Sequence, residues 1–526
     1  MTRSSAAPAQ PTMSQGRPPI QDLRQWLARV EEMGELVRVG QPVNRDEEMS
    51  AVSYLVAKQQ SSPAVLFERP RGFDDSPIGA RMLWNILGPS FGRVALTLEE
   101  PVDTTKVELI RCTKDKLKQR IPPREVSAEQ APIYEYSVIG DNVDLDQLPI
   151  PRHWPLDGGR YAGTGDAVIT RDPDTGYLNI GTYRMMQQGK AETGLYLSPG
   201  KDARLHITRA WQQGKPIAVA AAWGIDPLFM LVGSQTFPKN ISEYEFAGGI
   251  KGEAIPVVRG KTTDLLLPAN AELVVEGTIE PNSVKAEGPF GEFPGYYGRP
   301  EAGCPLVNIT AVHYRSQPIL TNALMADYPS CEQSGFFSVI RSAKIWDDFD
   351  KLGIPGIVGV YSHPAAAGGF GMTVISLEQR YAGHAAQALA LAAQCPGGAY
   401  YTKWIIAVDE DIDPTDTDQV IWAMASRCNP IDDVDVLRNT WSTWLDPTQN
   451  PPEKRPYGSK ALINACKEHR HLPSFSKRTT LRKSIYDQVA ARWKELGLPD
   501  QIPTVRAFEA DSKVVYHEVG GFEPGQ

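Results

Sequence analysis

The chain has 526 residues, of which 41% are hydrophobic and 22% are charged. This composition is close to the globular average, so it excludes global disorder and supplies apolar residues for several cores. The formal net charge of -9 argues against a nucleic-acid partner, because a broad nucleic-acid interface needs a basic surface.

The start of the chain and the cysteines indicate the cellular setting. Residues 1–19 are rich in Ser, Ala, Pro and Gln and predict a disordered leader, since they lack the apolar centre of a signal peptide. The six cysteines are scattered without a Cys-x-x-Cys pair, which is typical of reduced thiols in a cytoplasmic protein. No stretch approaches the roughly 20 apolar residues that a membrane span needs.

Residues 20–113 predict an N-terminal α/β domain. Apolar residues at helical spacing predict helices over 23–33 and 47–59, and short apolar runs predict strands at 36–39 and 64–67. The charged, proline-containing segment 114–132 is interpreted as a connector.

Residues 133–326 predict a barrel-like β domain, because short strand-like runs alternate with turns rich in Gly, Pro, Asn and Asp. The predicted strands are 167–170, 177–181, 217–222, 253–258, 272–278 and 306–313. Two helical patterns interrupt them, at 203–213 and 242–248.

Residues 327–475 return to alternating helices and strands, which predicts an α/β domain with a partly parallel sheet. The expected helices are 335–352, 381–395 and 418–427, and the expected strands are 357–361, 372–377 and 404–408. Residues 476–526 predict an amphipathic helix over 480–496 followed by a tail. That helix would pack either on its own domain or on a neighbouring subunit.

The most unusual local feature is Glu287-Gly288-Pro289-Phe290-Gly291-Glu292. A rigid turn of glycine and proline could hold both carboxyl groups toward one cavity. Like charges held close raise one pKa, as a general acid requires. The alternative is a surface turn with two solvated glutamates, but the neighbouring aromatic residues argue against it.

Three further segments carry candidate site residues. The alternating run from Asn179 to Arg184 predicts one strand that presents Arg184 to a carboxylate, although a surface salt bridge is an alternative. Ser242 is a predicted helix N-cap, which makes Glu243 either a helix-start residue or a cation ligand. Lys403 stands before a predicted strand and is either a phosphate contact or an exposed lysine.

Together these features resemble the UbiD family of reversible, prenylated-flavin-dependent decarboxylases. The resemblance runs from Asp22-Leu23-Arg24 to Gly458-Ser459-Lys460 and includes Tyr381-Ala382-Gly383-His384-Ala385. It implies an α+β multidomain protein with an N-terminal α/β domain, a central split β-barrel that binds the flavin, and a C-terminal α/β domain. The last of these would drive formation of a homodimer or a homohexamer.

The resemblance also implies an activity and residue roles. The protein would be a carboxy-lyase acting on an aromatic or α,β-unsaturated acid, with prenylated FMN as electron sink and a flavin prenyltransferase as its supplier. Arg184 would contact flavin and substrate, Glu287 would pair with it, and Glu292 would deliver the proton. The implied cofactor contacts are Thr164, Asn179, Ile180, Gly181, Thr182, Arg184, Ser234, Glu243 and Lys403.

The implied metal is a divalent ion, Mn²⁺ or Mg²⁺, held by Asn179 and Glu243, with K⁺ as a further candidate ion. The family often has a histidine as third ligand, whereas this chain offers Asp202. A carboxylate is a good ligand for a hard ion. Lys201 could instead neutralise the flavin phosphate directly.

The substrate pocket implied by the resemblance is rich in rings. Its residues are Leu197, Phe293, Phe336 and Phe337, with Trp441 from the C-terminal domain. These rings favour a flat aromatic acid such as a hydroxybenzoate, although about half of them are expected to lie in the core.

Two alternatives to a decarboxylase stay open. An FMN-dependent oxidoreductase on a split barrel would bind unmodified flavin and would not need the paired glutamates. A non-catalytic subunit of a carboxylase complex would be expected to lose Arg184 or a glutamate, and the chain has kept all three.

Overall fold

The computed structural model describes residues 18–298, 300–449, 457–499, 501–503 and 505. Contacts divide the chain into two compact units. The first contains the described residues up to 343 together with 362–371 and 442–449, and the second contains 344–361, 372–441 and the described residues from 457 onward.

The first unit begins with four helices and three strands. They are α1 (Leu23–Glu32), β1 (Leu36–Val39), α2 (Glu48–Ala57), β2 (Ala64–Phe67), β3 (Arg81–Trp84), α3 (Phe91–Thr97) and α4 (Lys106–Lys116). Helix α1 forms because Leu23, Trp26, Leu27 and Val30 recur on one buried face, while the Asp22 side chain accepts the backbone N–H of Gln25.

The rest of the first unit is mainly β structure. Its strands are β4 (Arg124–Glu125), β5 (Tyr136–Ile139), β6 (Tyr161–Gly163), β7 (Asp166–Arg171), β8 (Leu178–Gly181), β9 (Met185–Gly189), β10 (Glu192–Leu195), β11 (Ile217–Trp223), β12 (Pro256–Arg259), β13 (Leu266–Pro268), β14 (Leu273–Ile279), β15 (Val284–Glu287), β16 (Ala302–Tyr314) and β17 (Ile319–Thr321). Its helices are α5 (Asp202–Gln212), α6 (Leu228–Gly233) and α7 (Glu243–Lys251).

A ten-stranded sheet dominates this unit among the described residues. Eight strands follow the order β6-β9-β10-β16-β14-β11-β7-β8, while β5 and β15 also pair with β16. The pairs within it are antiparallel. This curled sheet confirms the predicted barrel-like middle of the chain.

A smaller sheet joins the beginning of the chain to the barrel. Its order is β1-β2-β3-β17, so its last strand comes from the end of the barrel segment. Phe67 and Trp84 of the small sheet lie in the same buried cluster as Val219 and Val275 of the large one. The two sheets therefore share one core.

The second unit is a five-stranded sheet with helices. Its elements are α9 (His384–Gln394), α10 (Thr417–Arg427), α11 (Pro430–Asp433), α12 (Lys483–Ala491), β18 (Ile357–Ser362), β19 (Met372–Leu377), β20 (Trp404–Asp409), β21 (Val434–Trp441) and β22 (Tyr457–Ala465), and α8 (Ser334–Lys351) begins in the first unit. The strand order is β18-β19-β20-β22-β21, with β19, β20 and β22 parallel and β21 antiparallel. The predicted α/β character of this region is confirmed.

Three predictions on elements differ from the structure. Strand β8 ends at Gly181, so Arg184 lies in the connection to β9 and not on the strand of Asn179. The connector 114–132 includes the end of α4 and the short strand β4, which pairs with β12. The final helix is shorter than predicted, and Ile485 and Val489 are exposed. The predicted disordered leader spans residues 1–19, of which only 18 and 19 are described, and the predicted tail lies largely outside the described residues.

In the part of the chain that the structure describes, no helix is long and apolar enough to cross a membrane. All six cysteines lie in that part, and none forms a disulfide.

Candidate active site

Arg184 stands between two buried carboxylates. Its Nε donates to Glu287 Oε1 at 2.8 Å and its Nη2 to Glu287 Oε2 at 3.0 Å, while Nη1 donates to Glu292 Oε1 at 2.5 Å. Glu287 is fully buried, and only 7% of Arg184 and 8% of Glu292 are exposed. The predicted constellation is therefore assembled, and the surface-turn alternative for Glu287 and Glu292 is excluded.

The turn between the glutamates is fixed from several sides. Tyr161 donates its hydroxyl to Glu287 Oε1 at 2.9 Å, and the N–H of Gly158 donates to Pro289 O at 2.8 Å. Gly288 has φ +95°, which favours glycine, and a side chain on Gly291 would collide with Trp154. Both glycines of the motif are required by the turn.

The electrostatics of the two glutamates differ. Burial raises the pKa of Glu292, and the neighbouring Arg184 opposes that rise. Glu287 instead shares a bidentate ion pair with the guanidinium, the strongest geometry for such a pair. Glu292 is therefore the carboxyl group better suited to exist as a neutral acid.

A cavity opens beside this triad within the first unit. It is lined by Thr164, Thr182, Tyr183, Arg184, Tyr196, Ser198, Lys201, Gly233, Ser234, Phe290, Glu292, Met325, Gln333 and Leu445. The Arg184 guanidinium lies 4.1 Å from the ring centre of Tyr196 and 5.1 Å from that of Phe290. The cavity thus combines hydroxyl groups and charges with apolar rings, as small-molecule sites do.

The connection from β8 to β9 gives the cavity its shape. Thr182 donates its N–H to Gly233 O at 3.2 Å, so the chain leaves the sheet after Gly181. The Tyr183 ring then folds back over Gly181, where a side-chain carbon would lie 2.3 Å from it. This close approach turns Arg184 toward the glutamates.

The predicted metal residues form a second polar cluster. Glu243, at the start of α7, accepts the N–H of Ile180 at 2.7 Å, and the predicted N-cap Ser242 accepts the N–H of Tyr244. Burial, helped by the Asp202 carboxylate, raises the pKa of Glu243 to about 8. Asn179 is buried, and its Nδ2 has no partner in the described residues.

This cluster is a poor fit for a divalent ion, because it already holds a cation. Lys201 interacts electrostatically with both Asp202 and Glu243. One Glu243 oxygen is also occupied by a backbone N–H. Among the residues described, no group of three His, Cys, Asp or Glu side chains is arranged to hold a metal ion.

The remaining predicted residues lie outside the cavity lining. Leu197 is in the barrel core. Phe293 and Phe337 both pack on Phe370, with ring centres 4.6 and 3.9 Å apart respectively, and Phe336 is buried on α8.

Two predicted residues belong to the second unit. Lys403 immediately precedes β20, and Trp441 ends β21, 56% exposed and edge-on to Tyr400. Their roles at the cofactor and substrate stay predictions.

Sequence reasoning gave no role to Tyr161 and Tyr196. Tyr196 adjoins the predicted Leu197. Alternation along β10, in which Leu195 is buried, could have indicated that Tyr196 faces the opposite side, toward the cavity. Phe290 lies inside the motif itself and was treated only as an apolar neighbour. Tyr161 carries no local sequence signal, because its contact with Glu287 spans 126 positions.

Family models match most of the chain. The N-terminal domain of 3-octaprenyl-4-hydroxybenzoate carboxy-lyase matches residues 27–113, its Rift-related domain matches 124–328, and its C-terminal domain matches 334–465.

Relatives named phenolic acid decarboxylases match over nearly their whole length. A phenolic acid decarboxylase of Sedimentibacter hydroxybenzoicus is 33% identical over 84% of this chain and 91% of its own. One of Bacillus subtilis is 32% identical over 82% and 90%.

Solved structures are similar as well. Vanillic acid decarboxylase of Sedimentibacter hydroxybenzoicus in closed form has a TM-score of 0.79 at 29% identity, covering 91% of this chain and 99% of its own. HmfF of Pelotomaculum thermopropionicum in complex with FMN has a TM-score of 0.77 at 28% identity, covering 88% and 97%. The chain belongs to the UbiD family of carboxy-lyases.

Proposed function

We propose that this carboxy-lyase removes carbon dioxide reversibly from an aromatic acid, with Arg184, Glu287 and Glu292 as the reacting residues. The observation that carries the proposal is the buried triad, in which one guanidinium contacts both carboxylates beside a cavity. The relatives named phenolic acid decarboxylases support an aromatic substrate.

Prenylated FMN is the proposed cofactor. An evolved dimeric form of HmfF has been solved with prenylated FMN, at a TM-score of 0.75 to this chain. The cavity fits such a group, because the polar residues Thr164, Thr182 and Ser234 line it together with apolar side chains. When bound, the prenylated flavin supplies an electron sink for the electrons that carbon dioxide leaves behind.

The residues of the chain then have separate tasks. Arg184 holds the substrate carboxylate, and its bidentate pairing with Glu287 fixes the plane of the guanidinium. Tyr161 fixes Glu287 in turn. Glu292, whose pKa is raised by burial, donates a proton from its carboxyl group to the carbon that lost carbon dioxide.

The ion site and the assembly state belong to this proposal as predictions. Asn179, Asp202 and Glu243 are the candidate ligands of Mn²⁺ or Mg²⁺, with the poor fit described above. A flavin prenyltransferase would supply the cofactor, and a cytoplasmic location accords with the reduced cysteines.

A homodimer or homohexamer is supported by the apolar surface of the second unit. Ile431 is 87% exposed and Val436 on β21 is 56% exposed. Strand β21 is at the edge of the sheet in the described residues, and an exposed apolar edge is a common site of chain association.

The test is a panel of aromatic acids given to protein co-expressed with a flavin prenyltransferase, with carbon dioxide release as the readout. We expect release from at least one hydroxybenzoate-like acid, and none from protein that carries unmodified FMN. A bound cofactor that keeps the mass and spectrum of unmodified FMN after this co-expression would favour an oxidoreductase. Correctly loaded protein that releases nothing from any acid would favour a non-catalytic subunit.

A further inference from the structure

Lys201 is a cavity residue to which the proposed reaction gives no role. It directly precedes α5 and lines the same cavity as Arg184 and Glu292. Its exposed surface is intermediate, so the ammonium is sheltered rather than surrounded by solvent. A lysine in such a place costs desolvation free energy unless it interacts with negative charge.

Among the described residues, Lys201 has two carboxylates near it but no close ion-pair partner. Asp202 and Glu243 interact with the ammonium electrostatically, but no hydrogen-bonded ion pair joins them within the described residues. Asp202 also faces Lys239 and Arg209. The ammonium is therefore available for a further anion from the cavity.

Two independent features beside Lys201 also favour an anion. Helix α5 has 11 residues, and its N-cap residue Lys201 makes no side-chain hydrogen bond to the first turn, whose N–H groups add positive potential that the Asp202 carboxylate partly offsets. The Asn179 side chain is only 2% exposed and lies beside the Tyr183 phenol, and its Nδ2 makes no well-formed hydrogen bond in the described residues. An unpaired buried donor is rare and indicates a ligand acceptor.

We propose that Lys201 is the anion-binding residue of this cavity and supplies, for an oxyanion ligand, the positive charge that a divalent metal ion would otherwise supply. The oxyanion is either the phosphate ester of the flavin or a second acidic group on the aromatic substrate. This inference rests on the proposed function, because both ligands belong to that reaction.

The first experiment measures flavin affinity without turnover. Full-length protein freed of flavin is titrated with FMN and with riboflavin, which lacks the phosphate, in the presence of EDTA. The variants are Lys201→Gln and Lys201→Arg, and the control is Lys215→Gln, an exposed lysine just beyond the other end of α5. Thermal melting of each variant establishes that it is folded.

If the flavin phosphate is the ligand, wild-type protein binds FMN more tightly than riboflavin despite EDTA. Lys201→Gln should then lose about 10–100-fold in FMN affinity and nothing in riboflavin affinity, the equivalent of one charge-assisted hydrogen bond. Lys201→Arg should keep most of the affinity, and Lys215→Gln should match wild type.

The second experiment addresses the substrate. Binding of benzoate and of benzene-1,3-dicarboxylate to flavin-loaded protein is measured by calorimetry. If the second acidic group is the ligand, Lys201→Gln weakens the dicarboxylate about 10–100-fold, leaves benzoate unchanged, and leaves the preference for FMN over riboflavin intact.

Two results would overturn the inference. One is a Lys201→Gln protein that matches wild type in both experiments. The other is wild-type FMN binding that collapses in EDTA and returns with Mn²⁺, because the charge would then come from the metal. Wild-type protein that binds no flavin under any condition would instead refute the proposed function.

Discussion

At the residue scale, the two glutamates of the turn are distinguished by their hydrogen bonds to Arg184. Glu287 uses both carboxylate oxygens in the pair, whereas Glu292 uses one. The second Glu292 oxygen has no hydrogen bond to Arg184, and the residue lines the cavity. This asymmetry is the physical basis for assigning proton transfer to Glu292.

Glu292→Gln should therefore abolish proton delivery while the cavity keeps its shape. We expect kcat to fall about 10²–10⁴-fold, the usual contribution of a general acid, with FMN affinity unchanged. Decarboxylation assays and flavin titration measure the two effects. Normal turnover by this variant would refute the proton-donor role, and Glu301→Gln, an exposed glutamate nearby, is the control.

His153 is a second residue with a measurable consequence. It is buried between Trp84 and Phe290, and neither ring nitrogen has a hydrogen-bond partner in the described structure. Burial lowers the pKa of His153 to about 3. The ring is therefore neutral when folded, but it gains a proton in the unfolded chain below its ordinary pKa of about 6.5.

The contribution of His153 to the unfolding free energy therefore depends on pH. His153 contributes full stability above pH 6.5, and that contribution is lost as the pH falls toward 3. Between pH 6.5 and pH 5 the unfolding free energy should drop by about 2 kcal/mol from this residue. Urea titrations at the two pH values should show a smaller decrease in unfolding free energy for His153→Phe than for wild type. The decrease for His471→Phe, an exposed control, should equal that of wild type.

At the scale of elements, the connection from β8 to β9 is the part of the site that depends most on one backbone position. Gly181→Ala would place a carbon about 2.3 Å from the Tyr183 ring, which must then move. Because Arg184 follows directly, we expect FMN affinity and kcat to fall at least about tenfold, the effect expected when catalytic groups are misplaced by about 1 Å. Gly303→Ala on β16, whose nearest neighbour would be 4.0 Å away, is the control.

Those same residues show what sequence could and could not predict about elements. Helical periodicity located α1 closely because one face of the helix is buried, and short apolar runs located β1, β2 and β19. The run from Asn179 to Arg184 also alternates, yet the strand ends at Gly181. Its end is decided by a hydrogen bond to Gly233 and by the Tyr183 ring, which are tertiary contacts absent from any local pattern.

At the scale of the whole molecule, the resemblance of ordered motifs predicted the family and the fold, and these are confirmed. The assignment of rings to the substrate pocket had less support, because a buried phenylalanine in the core and one in a cavity look alike in sequence. Phe293 and Phe337 pack on Phe370, a residue that carried no sequence signal.

The assembly prediction also belongs to this scale. Replacing exposed apolar residues of the second unit by lysine should weaken association, because each loses buried apolar area and adds a charge. Val436→Lys and Ile431→Lys should lower the mass measured by light scattering after size exclusion. Leu55→Lys on α2, which is 64% exposed in the first unit, should leave it unchanged. A monomeric wild-type protein would contradict the prediction.

The placement of Arg184 between two carboxylates has a thermodynamic consequence for substrate capture. With both glutamates ionised the triad carries one net negative charge and repels an incoming acid anion, whereas protonation of Glu292 makes it neutral. Binding of the acid should therefore take up a proton, and wild-type affinity should fall up to about tenfold per pH unit above the pKa of Glu292. Calorimetry in buffers of different ionisation enthalpy would detect that proton, and Glu292→Gln, despite its lower kcat, should bind the acid more tightly than wild type at high pH.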